Sequence, residues 1–370
     1  MHRRQFLAGS ATAAAFAALP SMAAETISPA AHRLYRDAIV IDGNLVAPLD
    51  PEAHLPADLT AQVRASGLTA FKMTLGGPGS QTKAETIEEC RLVDKAIGLN
   101  SDLFTRIRKP ADIAAAKASG LIGLIASFEA GEMLEGQIQS IDDFRAMDVL
   151  VMGLSYNLTS PFGSGVMSKT STGLTELGRQ AVDRMNRLGV TLDISHSDET
   201  TSVAAIAAST RPVLITHAGS GAIRPHPRNK SDRLIRALAD KGGVIGIFDL
   251  SYLSVAPEQP SLAAYMAHLT RALNTAGEDH VGIGSDTILT PFDTSAESMK
   301  AWDAETARRK ATGVAAPGEG PAPFVTGLNR SDRCAVIADR LLKAGYPARV
   351  AEKVLGANFH RVFAETWTPA

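Results

Sequence analysis

Eight short apolar runs along the chain each end at or beside a polar residue that could bind a metal ion or a substrate. The runs are 38–42, 68–74, 121–129, 149–157, 190–196, 212–217, 243–249 and 281–286. Stretches with helical periodicity lie between them, among them 175–188, 200–208 and 231–240. Near-continuous apolar strands that alternate with helices are typical of a parallel sheet covered by helices.

Eight strand-helix units predict a closed (β/α)₈ barrel, the TIM-barrel architecture, in one domain that covers residues 24–370. An open, doubly wound sheet is the alternative fold. That fold usually carries a glycine-rich first turn for a nucleotide, and the sequence has no such turn. The formal net charge of −2 over 370 residues gives no reason to expect nucleic acid as a partner.

In such a barrel the carboxyl ends of the strands meet at one pocket, so Glu129, His196, His217 and Asp286 should converge there. One carboxylate and two imidazoles suit a zinc ion and leave one position for water. Asp286 could then hold or move the proton of that water. These residues predict metal-assisted hydrolysis, with Glu129 and Asp286 in catalytic roles.

Each candidate has a plainer interpretation. His196 precedes a helix and could be a core histidine or part of a helix cap, but a second histidine at the end of the next strand favours a site. His226 lies between two prolines, and His280 begins its strand, so neither is expected in the site. Arg228 could bind a substrate carboxylate through two hydrogen bonds or form a surface salt bridge, and the sequence leaves both open.

Three further features concern the rest of the chain. Residues 1–23, with Arg3-Arg4 before an alanine-rich apolar stretch and Ser-Met-Ala, predict a twin-arginine export signal and a periplasmic or secreted protein without a stable membrane span. Cys90 and Cys334 are expected to be buried structural thiols. Residues 287–329 are rich in Pro and Gly at 315–323, which predicts a long irregular loop over the pocket, followed by helices at 332–344 and 348–354.

Several segments in order resemble the membrane dipeptidase (renal dipeptidase) family of metallopeptidases. They are Leu-Asp-Ile-Ser-His (192–196), Pro-Val-Leu-Ile-Thr-His-Ala (212–218), His-Pro-Arg-Asn (226–229), Gly-Gly-Val-Ile-Gly (242–246), His-Val-Gly-Ile-Gly-Ser-Asp (280–286) and Leu-Gly-Ala-Asn-Phe (355–359). The likeness spans about residues 39–362. It implies a (β/α)₈ barrel with two zinc ions that cleaves dipeptides and tolerates a D-residue at the carboxyl end, and members commonly form homodimers.

The resemblance also implies a role for individual residues. Glu129 matches the glutamate that bridges the two ions, and His196 and His217 match the two histidines on one zinc. Arg228 matches the arginine for the substrate carboxylate, and Asp286 the active-site aspartate.

The chain departs from the family at one half of the site. Members usually have Asp-Gly-His-Asn-Asp after the first strand, where the His and the last Asp hold the other zinc, but this chain has Asn44 and Val46 at those positions. Tyr156 replaces a histidine that contacts substrate, and a phenol could donate a hydrogen bond to an oxyanion. Leu250 aligns with a family tyrosine, leaving Tyr252 as an approximate substitute.

Two functional hypotheses follow. The first is an exported zinc-dependent dipeptidase, with one ion favoured over two, that hydrolyses dipeptides or similar small amides with a free carboxylate. The second is a barrel without classical dipeptidase activity that acts as a small-molecule binding protein or a non-hydrolytic tailoring enzyme.

Overall fold

The computed structural model describes residues 26–255 and 257–368. The predicted export signal at 1–23 lies outside the described residues. Twelve strands are present in the described ranges: β1 (Ile41–Asp42), β2 (Leu45–Val46), β3 (Ala70–Thr74), β4 (Phe104–Arg106), β5 (Ile122–Phe128), β6 (Val149–Gly153), β7 (Thr191–Asp193), β8 (Leu214–Ser220), β9 (Asn229–Lys230), β10 (Val244–Ile247), β11 (Val281–Ile283) and β12 (Thr287–Ile288).

The α-helices of the same ranges are α1 (Pro29–Asp37), α2 (Ala57–Ala65), α3 (Lys83–Leu99), α4 (Pro110–Ser119), α5 (Ser140–Ala146), α6 (Glu176–Leu188), α7 (Glu199–Ala208), α8 (Asp232–Asp240), α9 (Leu262–Ala276), α10 (Ala296–Ala311), α11 (Arg333–Lys343), α12 (Ala348–Glu352) and α13 (Asn358–Thr366). Short 3₁₀ helices cover Glu132–Leu134 and Ser251–Leu253, and a π-helical turn covers Lys353–Ala357.

Eight of the strands form a closed parallel barrel in the order β1-β3-β5-β6-β7-β8-β10-β11. The ring is complete because β1 pairs with both β3 and β11, and β10 pairs with both β11 and β8. Each of the eight apolar runs supplies one barrel strand. The predicted (β/α)₈ barrel is therefore confirmed, and the open-sheet alternative is wrong because the strand order has no free edge.

Local sequence explains why the helices begin where they do. The side chains of Thr175, Asp198 and Ser231 accept a hydrogen bond from the backbone amide three residues later, at the first turns of α6, α7 and α8. The helix α6 ends at Gly189, which adopts a left-handed conformation that glycine tolerates without strain. These helices match the three predicted stretches to within one residue at each end.

The amino end of the barrel is closed by the C-terminal helix α13. Ile41, Leu214 and Val244 are the first residues of their strands, and they belong to one buried cluster with Phe359 and Phe363 of α13. Because α13 covers the amino end of the barrel, the cavity lies at the carboxyl ends of the strands. The candidate site lies in this cavity.

The prediction of an irregular loop over 287–329 is wrong in part. This segment contains β12 and the sixteen-residue helix α10. The Pro and Gly residues that suggested a loop are concentrated after the helix, whereas α10 contains neither residue and its first turn is capped by the side chain of Ser295. Residues from the whole segment line the cavity.

Both cysteines are buried and unpaired, as the sequence suggested. Burial raises the pKa of the Cys90 thiol to about 12, which makes it a poor nucleophile. Among the residues that the structure describes, no helix combines the length and apolar character needed to cross a bilayer.

Candidate metal-binding active site

Glu129, His196 and His217 meet at the carboxyl ends of the barrel strands. Glu129 directly follows β5, His196 lies three residues beyond β7, and His217 is within β8. Their ligand atoms all lie within 4.8 Å of one another, and all three residues are buried. The two Nε2 atoms are 3.0 Å apart, and His196 Nε2 is 3.5 Å from Glu129 Oε2.

The neighbours of the two histidines fix where their protons lie. His196 Nδ1 is 2.8 Å from the carbonyl oxygen of the Asn157 side chain and donates to it. Thr216 Oγ1 donates to Asp193 Oδ2 at 2.6 Å and therefore accepts from His217 Nδ1 at 2.9 Å. Both Nε2 atoms then carry lone pairs that face each other across 3.0 Å. Two lone pairs at this distance repel each other unless a proton or a metal ion lies between them, and this is the usual environment of metal-binding histidines.

The protonation of the two imidazoles agrees with this arrangement. Burial, with a smaller effect of the Arg228 guanidinium, holds the pKa of His196 well below its usual value. Burial lowers the pKa of His217 to about 3 even though Glu129 acts in the opposite direction. Neutral imidazole is the form that binds a metal ion. The donor set of these three residues therefore fits a metal ion.

A cavity of about 220 Å³ opens beside the two histidines and is lined by His196, Arg228 and Asp286. Arg228 is 2% exposed, and its two terminal nitrogens have no hydrogen-bond partner among the described residues. A surface salt bridge, the plainer interpretation of Arg228, is excluded by this burial. The guanidinium also lies over the Phe248 ring, 6.0 Å from its centre. A buried guanidinium whose terminal nitrogens lack a hydrogen-bond acceptor, on the wall of a cavity, is suited to an anionic ligand such as a carboxylate.

Residues 29–307 match the sequence profile of the membrane dipeptidase family, peptidase family M19. The chain belongs to this family. Membership implies a metal-dependent hydrolase, and the Glu129, His196 and His217 group is able to bind a metal ion.

Individual proteins agree with the family match. An uncharacterised protein of the pqqA 5′ region of Klebsiella pneumoniae is 29% identical over 70% of this chain and 87% of that protein. The dipeptidase tcpJ of Claviceps purpurea is 25% identical over 76% of this chain, and the match spans 60% of tcpJ. The crystal structure of an amidohydrolase from Pseudomonas aeruginosa, 29% identical, superimposes with a TM-score of 0.77 over 91% of this chain and 99% of that one.

In this membrane dipeptidase family member, Asn44 fills the space between two carboxylates. Its amide nitrogen donates to Glu129 Oε1 at 2.6 Å and to Asp286 Oδ1 at 2.7 Å. Thr74 donates to the same Glu129 oxygen at 2.9 Å. Because the Asn44 amide group donates its two hydrogens to these oxygens, it occupies the place that a metal ion bound to both carboxylates would take. Val46 has no ligand atom. The residues at this position do not fit a second ion.

Asp286 occupies a constrained position three residues beyond β11. Its φ of 54° is left-handed, which is uncommon for a residue other than glycine, and its backbone N–H donates to Asn44 at 2.7 Å. A side chain at Gly284 would come within 1.8 Å of the Thr216 carbonyl, so glycine is required where the chain after β11 approaches β8. Asp286 Oδ2 lies 4.0 Å from His217 Nε2.

Tyr156 and Tyr252 lie on the cavity wall. The ring of Tyr156 stacks on the His196 imidazole with 4.1 Å between ring centres, and Arg309 donates to its hydroxyl at 3.3 Å. The hydroxyl of Tyr252 donates to Glu319 at 3.0 Å. Leu250, at the position of the family tyrosine, also lines the cavity.

The buried polar residues beneath the metal ligands were not among those predicted from the sequence. Lys72, fully buried in β3, donates to Thr74 and Ser127, and its ammonium lies 3.8 Å from Asp193. Asp193 in turn holds the threonine that orients His217. The available signal was a lysine inside an otherwise apolar strand, because a buried charge needs a partner.

His280 contacts the Gly243 carbonyl at the other end of the barrel, away from the site as expected. His226 is not among the three metal-binding candidates, but it borders the site: its ring stacks on Tyr252, its Nδ1 accepts a hydrogen bond from the backbone N–H of Arg228 at 3.1 Å, and its Nε2 contacts the Pro317 carbonyl at 2.6 Å.

Proposed function

We propose that this protein is an exported zinc-dependent hydrolase that cleaves dipeptides or similar small amides with a free carboxylate. The observation that carries the proposal is the pair of imidazole lone pairs at 3.0 Å beside Glu129, next to a cavity with a buried, unpaired Arg228. Imidazole and carboxylate ligands suit zinc. The family match and the relative named as a dipeptidase support amide hydrolysis.

The chain's own residues supply substrate binding and proton transfer. Zinc held by Glu129, His196 and His217 would make hydroxide available at neutral pH and polarise the amide carbonyl. Arg228 binds the substrate carboxylate and thereby fixes the position of the scissile amide. Asp286 accepts a proton at Oδ2 and returns it to the leaving nitrogen.

One aromatic side chain and one amide side chain complete the arrangement. Tyr156 lies against His196, where its hydroxyl is able to donate a hydrogen bond to the negative oxygen that develops during attack. Asn157 holds His196 in the tautomer that leaves Nε2 as a ligand atom.

We propose one metal ion per chain. The support is Asn44, whose amide joins the two carboxylates that a second ion would otherwise need. Hydrolysis with one zinc ion is chemically sufficient, since a single ion is able both to lower the pKa of water and to polarise a carbonyl.

The proposal is tested by turnover of a panel of dipeptides and N-acyl amino acids after the purified protein is loaded with zinc. Glu129→Gln and His196→Ala should each lower kcat/KM by about 1000-fold or more, because each removes a ligand, while circular dichroism stays unchanged. His280→Ala, on the opposite end of the barrel, is the matched control and should keep full activity. Equal turnover in the unmodified protein and the three variants would refute the proposal. A small molecule that binds tightly but is released intact would favour a binding protein.

Export by the twin-arginine route to the periplasm or beyond is a separate proposal that rests on residues 1–23. Replacing Arg3 and Arg4 with lysine should leave the protein in the cytoplasm of the native host, and cell fractionation measures this. An unchanged distribution would contradict it.

A further inference from the structure

The acidic side chains on the cavity wall already have partners. Glu305 accepts two hydrogen bonds from Arg308, at 2.7 and 2.6 Å. Asp286 accepts from Asn44 at 2.7 Å. Both carboxylates line the cavity, yet each is matched by a donor of this chain.

The remaining two acids of the wall are held in the same way. Glu319 forms an ion pair with Arg309 and accepts from the Tyr252 hydroxyl at 3.0 Å. Asp293 accepts from the hydroxyls of Ser295 and Ser298 at 2.8 and 2.7 Å. Each of these carboxylates already accepts hydrogen bonds from this chain, so a substrate ammonium would share its acceptor with those donors.

Most of the surface of the cavity is apolar, although residues 287–329 contribute both charged and apolar side chains to it. Phe292 packs edge-on against Trp302 with 6.0 Å between ring centres, and Pro321 and Pro323 line the cavity beside them. The indole N–H of Trp302 donates to the Gly320 carbonyl at 2.8 Å, which turns that polar edge toward the protein. Ile288 of the same segment also lines the cavity, together with Val46 of β2 and Leu250, which follows β10.

These observations define the two ends of a ligand. Arg228 offers an unpaired positive charge to a carboxylate, while the wall offers apolar surface and no acidic group that lacks a partner among the described residues. An uncharged apolar group gains from leaving water for such a surface, whereas an ammonium that shares its acceptors with this chain's own donors recovers less of its lost hydration.

We propose that the preferred substrate is an N-acyl amino acid with a bulky apolar acyl group, rather than a dipeptide with a free amino terminus. This inference rests on the proposed hydrolase function and names its substrate class. The amino acid carboxylate binds Arg228, and the acyl group lies against Phe292 and Trp302. Water adds its oxygen to the acyl carbon, the C–N bond breaks, and the nitrogen takes up a proton, which yields a carboxylic acid and a free amino acid.

The test is a matched pair of substrates that differ in one group. Zinc-loaded full-length protein is assayed with 3-phenylpropionyl-glycine and with L-phenylalanyl-glycine, which have the same skeleton except for the α-amino group. The value of kcat/KM should be at least about tenfold higher for the acyl compound. An equal or higher value for the dipeptide would overturn the inference. If neither is cleaved while the protein retains zinc, the proposed function fails and this inference falls with it.

Two variants test where the preference arises. Ile288→Asp adds a carboxylate to the wall and should raise kcat/KM for L-phenylalanyl-glycine relative to 3-phenylpropionyl-glycine by about tenfold. Trp302→Ala should lower kcat/KM for 3-phenylpropionyl-glycine about tenfold and leave that for acetylglycine within about twofold. An unchanged ratio in Ile288→Asp, or an equal fall for both acyl substrates in Trp302→Ala, would overturn the inference.

Discussion

At the scale of the residue, the state of the site depends on a few buried polar side chains. Asn44 is the clearest example, because its amide donates to both Glu129 and Asp286 and joins them without a charge of its own. A neutral amide at this position allows the two carboxylates to lie close together in a buried site, whereas a third carboxylate there would repel both.

Asn44→Asp should expose this dependence. It replaces two donated hydrogen bonds with a third carboxylate, so the metal-free protein at pH 7 should lose about 2–4 kcal/mol of unfolding free energy. Adding zinc, or lowering the pH toward 4, should restore much of the loss because either neutralises the cluster. Urea denaturation with and without a chelator measures the effect, and a variant as stable as the unmodified protein under all conditions would contradict it.

Asp249 is a buried carboxyl group whose oxygens have no hydrogen-bond partner among the described residues. Burial raises its pKa to about 8, and Arg333 at 3.8 Å offsets this only in part. The unfolded chain releases this proton near pH 4, so the folded state binds the extra proton between about pH 4 and 8. The stabilising contribution of this group is therefore full below pH 4 and is lost as the pH rises toward 8.

Asp249→Asn removes that titration while keeping the shape of the side chain. The unfolding free energy of the unmodified protein should fall relative to the variant as the pH rises from 5 to 8, with a slope of up to about 1.4 kcal/mol per pH unit. Urea denaturation at four pH values provides the comparison. Parallel pH profiles for the two proteins would contradict the assignment.

Residues that follow apolar runs could be identified from the sequence, because the end of a barrel strand fixes where such a side chain points. Glu129, His196, His217 and Asp286 were found in this way. The contacts of Asn44 and the ammonium of Lys72 depend on strands that are distant in the sequence, so neither partner set could be derived from local pattern.

At the scale of the element, the Pro and Gly content of residues 287–329 led to a prediction that was wrong in part. The proline-rich residues suggested one long loop, although α10 has a capped start and basic residues in its last turn. Helix and loop are joined by the ion pair of Arg309 with Glu319, in which the two side chains are 14% and 9% exposed.

Arg309→Ala should release the loop at 312–323 from α10. Glu319 would keep a buried charge without its partner, so local opening becomes more favourable while the barrel itself is unaffected. Limited proteolysis should cut this loop at least about tenfold faster, with little change in the thermal midpoint of unfolding. Arg308→Ala is the control, since its pair with Glu305 lies within one helical turn and Arg308 is 40% exposed. Equal cleavage rates in both variants would contradict this role.

At the scale of the whole molecule, eight repeats of strand and helix determine a closed barrel, and closure brings distant residues to one end. Repetition made the fold predictable even though individual strands are as short as the two residues of β1. How the barrel is closed at the amino end was less predictable, because it depends on tertiary packing of α13 rather than on a local signal.

Phe359→Ala should therefore destabilise the fold without altering the site. The ring is fully buried against residues that begin the barrel strands, and its loss should cost about 3–5 kcal/mol of unfolding free energy. Zinc content and KM should stay unchanged in the fraction that remains folded. Glu352→Ala, at an exposed position, is the control, and a change of under about 0.5 kcal/mol is expected there. A Phe359→Ala protein as stable as this control would contradict the assignment.

Closure of the barrel places Glu129, His196 and His217 together, and we propose that they form one metal site. The most direct measurement is the number of zinc ions retained per chain after metal-stripped protein is incubated with zinc and desalted, for the unmodified protein and for His217→Ala. We expect about one ion per chain in the unmodified protein and none in His217→Ala. No retained zinc in the unmodified protein, or the same count in both, would contradict it.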